Sequence, residues 1–275
     1  MRLGVSLAQT GRLADPAAIR SAATAAEQVG YSSVWVLDRL GAGGRPDLTT
    51  VLDPLTVLTY AAACTTRVAL GTSVLVAPWY RPALLARSLS SLDVLSDGRL
   101  TVGLGLGASL DEFAAVGVPR RELGRRLDDA LDVLDDVFSP PSGAHRRPPV
   151  LLAASSTDDL DRVARRADGW NPSGLPVDML APMWATVRDL AAGHGRDPDT
   201  LRLVVRATID LRDDPIDGDR APYAGTDEQI AADLEDTRRA GADEVILGVE
   251  CDDCLDKALG VYARVAEAVD VPTAA

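Results

Sequence analysis

Apolar residues fall into two alternating patterns along the chain. Short continuous runs, Arg2–Leu7, Ser33–Leu37, Val68–Val76, Leu100–Leu106 and Val150–Ala154, read as strands buried on both faces. Gly169–Asn171, Leu201–Ile209 and Glu244–Val249 complete a set of eight. Between them, apolar positions recur at helical spacing. Ile19, Ala22, Ala23, Ala26 and Val29 make one such stripe, opened by Asp15-Pro16 and closed by Gly30. Further helices are predicted from Asp53-Pro54 to Cys64 and over Pro82–Leu95, Arg121–Phe138, Asp158–Arg166, Met179–Ala192, Glu228–Ala240 and Leu255–Val269. Eight strands, each followed by a helix, predict an α/β protein whose parallel sheet is covered by helices. At 275 residues the pattern closes most naturally into one (β/α)8 TIM barrel, a single domain over residues 1–275.

An open doubly wound sheet is the alternative. It wants a G-x-G-x-x-G loop after the first strand, where this chain has Ser6-Leu-Ala-Gln-Thr-Gly11. Gly103, Gly105 and Gly107 lie within and at the end of the fourth strand with the wrong spacing. The helix over 53–64 is apolar nearly all round, and that over 83–95 partly so. A barrel helix normally turns one face to water, so these two are expected to meet a partner, most simply in a two-fold homodimer.

Composition narrows the function classes. Hydrophobic residues make up 47% and charged residues 25%, the ordinary globular mixture. No run reaches the roughly 18 apolar residues of a membrane span, and Arg2 with the short run after it is not a signal peptide. A cytoplasmic protein is expected. The net charge of −13 repels nucleic acid and anionic lipid, so neither is an expected partner. The arginine pairs at 120–121 and 125–126 are followed at once by Asp128, Asp129 and Asp132, the pattern of a solvated helix face. Three cysteines form no disulfide framework. Cys251-x-x-Cys254 sits among Glu250, Asp252, Asp253 and Asp256, which disfavour thiolate, and no second Cys/His pair exists to complete a zinc site. No metal is expected.

Barrel chemistry sits at the carboxyl ends of strands. Those ends carry Asp38-Arg39, Ser73 to Trp79, Gly105 to Ser109, Ser155-Ser156, Asn171-Pro172, Asp210 and Glu250. Arg206 interrupts the apolar run Leu203–Ile209, and a buried guanidinium needs a partner. That partner is either an acid of a cofactor or substrate, or a structural carboxylate such as Asp210 or one on another strand.

Several of these ends, in order, resemble the luciferase-like monooxygenase superfamily, which includes bacterial luciferases and F420 (deazaflavin)-dependent oxidoreductases. The carrying residues are Gly30-Tyr-Ser-Ser-Val-Trp-Val-Leu-Asp38, Asp53-Pro54, Thr66–Val74, Asp93–Arg99, Val102–Gly107, Asp111-Glu-Phe113 and Ala167-Asp-Gly-Trp170. The resemblance implies a barrel holding F420 or, alternatively, FMN, usually as a dimer. It implies a non-prolyl cis peptide at Ser73-Val74, forming a bulge behind the ring. It also implies a cofactor site made of Ser73, Val74, Gly105, Gly107, Ser155, Ser156 and Trp170. Bare glycine lets a flat ring approach the strand, although Gly105 and Gly107 also suit tight packing. Trp79 and Arg206 are the substrate-side candidates, Trp79 and Trp170 being equally suited to plain core. Asp168 is expected to shape the turn into the sixth strand.

Two departures from the family pattern matter. Deazaflavin dehydrogenases commonly carry Asp-His after the second strand; here the pair is Asp38-Arg39. Arginine stays protonated and cannot shuttle a proton, but it can fix an anion or stabilise negative charge. Asp38 and Arg39 are thus the catalytic candidates, Asp38 to orient the pocket. Neither His145 nor His194 lies at a strand end. After the fifth strand, where relatives often place Gly-Gly for the cofactor phosphate, the chain has Ala153-Ala-Ser-Ser-Thr-Asp-Asp159. A capped helix start with two carboxylates repels phosphate. Three readings follow: hydride transfer between F420 and a small organic substrate, an FMN-dependent monooxygenase, or a cofactor-free subunit or ligand-binding protein. The pocket loops 39–52, 78–81, 172–178 and 210–226 leave the substrate unread.

Overall fold

A computed structural model describes residues 1–41, 50–138, 147–249 and 260–265. His145, Glu250, Cys251, Cys254 and most of the expected closing helix lie outside the described residues. In chain order the elements are β1 (Arg2–Ser6), α1 (Pro16–Val29), β2 (Ser33–Val36), α2 (Pro54–Cys64), β3 (Ala69–Thr72), β4 (Leu75–Val76), α3 (Pro82–Leu95), β5 (Leu100–Gly105), α4 (Leu110–Val116), α5 (Leu123–Val137), β6 (Val150–Leu152), α6 (Thr157–Arg166), β7 (Gly169–Trp170), α7 (Val177–Gly193), β8 (Arg202–Leu211), β9 (Ala224–Gly225), α8 (Asp227–Arg239) and β10 (Glu244–Val249). Residues 260–265 are helical. All strand pairs are parallel, and β10 pairs with both β1 and β8, which closes the barrel.

Local chemistry explains the element ends. Asp15 accepts the N–H groups of Ala17 and Ala18 at the start of α1, Pro16 supplies the first turn, and Gly30 ends the helix in the left-handed conformation. Asp53 and Pro54 start α2 in the same way. Three features depart from the expected pattern. The strand expected over 68–76 is split into β3 and β4. A short helix, α4, is capped by Ser109 and ended by Gly117, and it delays the long helix to Leu123. Finally, β9 lies inside the expected loop 210–226 and pairs with the end of β8. Both added elements are too short to show a period in sequence.

The split in the third strand has a visible cause. Leu70 faces Leu100, but Leu75 faces Leu104, so the strand carries one extra residue between these pairs. The Ser73–Val74 peptide within it is cis. Thr72 fills the gap in the ladder with its side chain: Oγ1 donates to the Gly103 carbonyl at 2.8 Å and accepts the Gly103 N–H at 2.9 Å. A buried backbone pair that loses its strand partner is thereby satisfied.

Two layers of side chains fill the fold. Val34 and Val36 point outward into the main core between strands and helices, whereas Trp35 packs with Leu151, Val204 and Ile246. Those residues come from β2 and β6 on one side and from the paired strands β8 and β10 on the other, and they meet inside the barrel. The lower end is closed by Glu244, 3% exposed, which is bonded by Ser33 and by Trp35 Nε1 at 3.1 Å and paired with Arg202 at 3.2 Å and Arg2 at 3.3 Å. Arg2, Ser33, Arg202 and Glu244 are each the first residue of a strand, so this polar layer sits at the amino ends.

Candidate active site

The carboxyl ends of the strands enclose a cavity of about 460 Å³, within the roughly 300–1,000 Å³ usual for small-ligand and cofactor sites. Asp38 and Arg39 line it from the end of β2, Ser73, Val74 and Val76 from the bulge, and Asn171, Arg206 and Thr208 from β7 and β8. Gly107, Ser109 and Glu112 border it before and on α4, and Ala153 follows β6.

A buried polar chain holds the bulge in place. Ser73 Oγ donates to Asn171 Oδ1 at 2.8 Å, Asn171 Nδ2 donates to the Val204 carbonyl at 2.6 Å, and Arg206 donates to the Ser73 carbonyl at 2.9 Å. Arg206 therefore reaches across the barrel from β8 to the third strand. The Asp210 alternative is corrected: its carboxylate is engaged by Arg212 at 2.7 Å, because the strand end is already exposed there. Asn171 stood among the strand ends in sequence, but only the alternation of inward Gly169 and Asn171 with outward Trp170 marks it as a pocket residue.

Asp38 is held in a perturbed environment at the mouth. Its Oδ2 accepts the Val76 N–H at 3.0 Å and the Tyr80 hydroxyl at 2.8 Å. Burial pushes the carboxyl up to about 6, against the lowering effect of those two donors, and the charges of Asp53 and Glu112 add to the rise. Burial and the neighbouring carboxylate push the Tyr80 phenol up as well. Glu112 Oε1 accepts the Leu40 N–H at 3.0 Å, tying the chain beyond Arg39 to α4. Gln9, 1% exposed, accepts the Leu37 N–H and donates to the Leu52 carbonyl, so it fastens both ends of the segment after β2.

Several expected site residues lie elsewhere. Trp170 is fully buried outside the barrel, stacked on Trp184 with its Nε1 bonded to the Ala154 carbonyl, because strand alternation turns it toward the helices. Trp79 packs edge-on to Phe113 in a satellite cluster with Val76 and Val118 rather than lining the cavity. Gly105 leaves no open space for a ring: a Cβ there would lie 2.6 Å from Val74 Cγ2, so the glycine accommodates the bulge itself. Gly107 does border the cavity, and its φ of 77° calls for glycine in any case. Ser155 and Ser156 are exposed outside the cavity lining. Ser156 Oγ caps α6 by accepting the Asp159 N–H at 3.2 Å and donates to the Asp159 carboxylate at 2.6 Å. Asp168 does shape its turn, accepting the Val150 N–H and pairing with Arg147. His194 ends α7 and contacts Asp161 at 2.7 Å, on the outside. Among the described residues no group of three or more His, Cys, Asp or Glu side chains is placed to hold a metal, and no helix is long and apolar enough to cross a membrane.

The bulge, small Ala153 and polar rim suit a flat heterocycle with carbonyl and N–H edges. The α6 start does not suit its phosphate, since Asp158 and Asp159 occupy the first turn and the cap is already made.

A closed parallel barrel with its polar cavity at the strand carboxyl ends defines the class of TIM-barrel proteins. The chain belongs to the luciferase-like monooxygenase family, whose model matches residues 1–217. It is 35% identical over 180 residues to an uncharacterized protein of Mycobacterium tuberculosis, covering 58% of this chain and 64% of that one. It is 31% identical over 200 residues to the F420-dependent hydroxymycolic acid dehydrogenase of the same species, covering 65% and 55%. It is 26% identical over 214 residues to 4-hydroxyprotoasukamycin monooxygenase of Streptomyces nodosus, covering 68% and 57%. The chain thus spans less than two thirds of the length of these relatives. Its backbone is similar to that of an F420-dependent secondary alcohol dehydrogenase, with a TM-score of 0.81, 17% identity and 98% of each chain covered.

Proposed function

We propose that this protein is an F420-dependent oxidoreductase that moves hydride to or from a small organic substrate. The observation that carries the reading is the cavity of about 460 Å³ backed by the Ser73–Val74 bulge in a luciferase-like barrel. The F420-dependent relative at 31% identity supports the choice of coenzyme. When bound, the deazaflavin supplies two-electron hydride chemistry. The protein's part is positioning. Ser73, Val74 and Gly107 hold the ring, with Gly105 making room for Val74. Asp38 sets the polarity of the facing wall, and Arg39 and Arg206 present positive charge to a developing or resident anion. The phosphate-bearing tail takes no support from Ser155 or Ser156, so affinity is expected to be modest. Titration with F420, followed by its fluorescence, tests this: saturable binding below about 100 µM supports the reading, and an unchanged signal through millimolar concentrations overturns it.

A second reading, an FMN-dependent monooxygenase, is favoured by the Streptomyces relative. A yellow preparation that consumes oxygen on reduction selects it. The protein is proposed to work in the cytosol as a homodimer through α2 and α3. Support comes from exposed Leu84, Val94 and Leu95 on α3, and from the small exposed residues Thr56, Thr59 and Ala63 on α2, which permit close helix approach. Light scattering at twice 28.9 kDa is the expected result; a monomer with Leu84→Glu and wild type alike overturns it.

A further inference from the structure

We propose that Asp38 is the proton-transfer residue of this site, exchanging a proton with a carbonyl or hydroxyl oxygen of the substrate, and that Tyr80 is its positioning residue. The inference rests on the oxidoreductase reading above and names the substrate class it serves, an alcohol and carbonyl pair.

The geometry carries it. Asp38 lines the cavity, and its carboxyl is clamped on one oxygen only. Val76 N–H and Tyr80 O–H both donate to Oδ2, and among the described residues no donor or cation engages Oδ1. Both donors come from chain just beyond the bulge, so the clamp and the bulge share one rigid support. The titratable and charged groups packed around it are Tyr80, Asp53 at the start of α2, and Glu112 on α4. Arg39 and Arg206 line the same cavity. Burial and the two acidic neighbours hold the Asp38 proton to about pH 6, where a group both donates and accepts readily near neutrality. Neither Arg39 nor Arg206 can do this, since guanidinium stays charged.

In the reducing direction the carbonyl carbon accepts hydride from reduced deazaflavin, and the C=O π pair moves onto oxygen. That oxygen takes the proton from Asp38 Oδ1. A C–H and an O–H bond form, the substrate is reduced and the coenzyme oxidised by two electrons, and solvent returns a proton to the carboxylate. Alcohol oxidation runs the same events backward.

Two measurements on the full chain decide the matter. In the ligand-free protein, ¹³C NMR of labelled aspartate, with Asp38→Asn assigning the resonance, is expected to show a midpoint near 6 that rises in Tyr80→Phe. A midpoint in the ordinary carboxylate range near 4 overturns the proposal. In single turnovers with reduced F420 and a panel of small ketones, the wild-type rate is expected to fall as pH rises through the Asp38 midpoint. Asp38→Asn keeps an acceptor for Val76 and Tyr80 but is expected to lose this pH dependence and about 10²–10⁴-fold in rate. Fluorescence titration reports coenzyme affinity in parallel. An Asp38→Asn enzyme that retains the wild-type rate and pH profile while still binding F420 overturns the role of Asp38 alone. Wild type that binds no F420 instead overturns the coenzyme reading and this step with it, even if the NMR midpoint is near 6.

Discussion

The two ends of the barrel interior each hold a carboxylate, fully buried at one end and half-buried at the other, and they treat it in opposite ways. At the amino end, Glu244 is met by two guanidinium groups, a serine hydroxyl and an indole N–H. Opposite charge and hydrogen bonds together offset the cost of burial, and the result is a closed structural layer. At the mouth, Asp38 is met by a backbone amide and a phenol, both neutral, while two further carboxylates stand nearby. Its proton is correspondingly hard to remove. Amino-end charges hold the fold; the mouth leaves one acid poised to titrate, where the family's barrels keep their chemistry.

Glu244→Ala is expected to give the largest effect, a loss of about 3 kcal/mol in denaturant unfolding, because Arg202 and the Ser33 hydroxyl are left without their acceptor. A loss below about 1 kcal/mol would erase the contrast between the two ends. Thr72→Val comes next. It keeps the shape but strips Gly103 of both side-chain bonds, costing about 2 kcal/mol and loosening the bulge, which calorimetry and F420 affinity both read.

Asp38→Asn acts in the other direction. The native state holds this proton more tightly than the unfolded chain, whose carboxyl titrates near 4. The group's contribution to stability is therefore full below pH 4 and is lost as pH rises through about 6. Wild type is expected to lose about 1–2 kcal/mol from this group between pH 4 and pH 8, and Asp38→Asn to lack that loss and be the more stable protein at pH 8. Equal pH dependence in the two proteins would show that the mouth does not differ from the amino end in this respect. Smallest is Ser156→Ala, expected to cost about 1 kcal/mol through the lost α6 cap while leaving F420 affinity within twofold. A tenfold loss of affinity would return the phosphate to α6.

Much of the architecture was legible from local chemistry. Asp15, Pro16 and Gly30 bound α1, Asp53 and Pro54 start α2, and the apolar runs give the barrel strands, because caps and periodicity act between residues close in the chain. The resemblance to the luciferase-like family placed the bulge at Ser73–Val74, and the rule that barrel chemistry sits at strand carboxyl ends placed Asp38 and Arg39 at the mouth. The inward or outward sense of short strands was less accessible. Two-residue β7 shows no alternation of its own, so Trp170 read as a pocket wall when Asn171 is the residue that faces in.

By itself, then, the sequence determined where each element starts and stops and which strand ends carry polar groups. Only the tertiary structure decided that Trp79 packs away from the cavity, that Gly105 serves Val74, that Arg206 crosses to Ser73, and that Asp38 is half-buried beside Tyr80 with no cation engaging it among the described residues. The reason is physical. Caps and periods depend on neighbours a few residues apart, whereas a side chain's surroundings, and with them its proton affinity, are set by groups that barrel closure brings together from dozens to more than a hundred positions away.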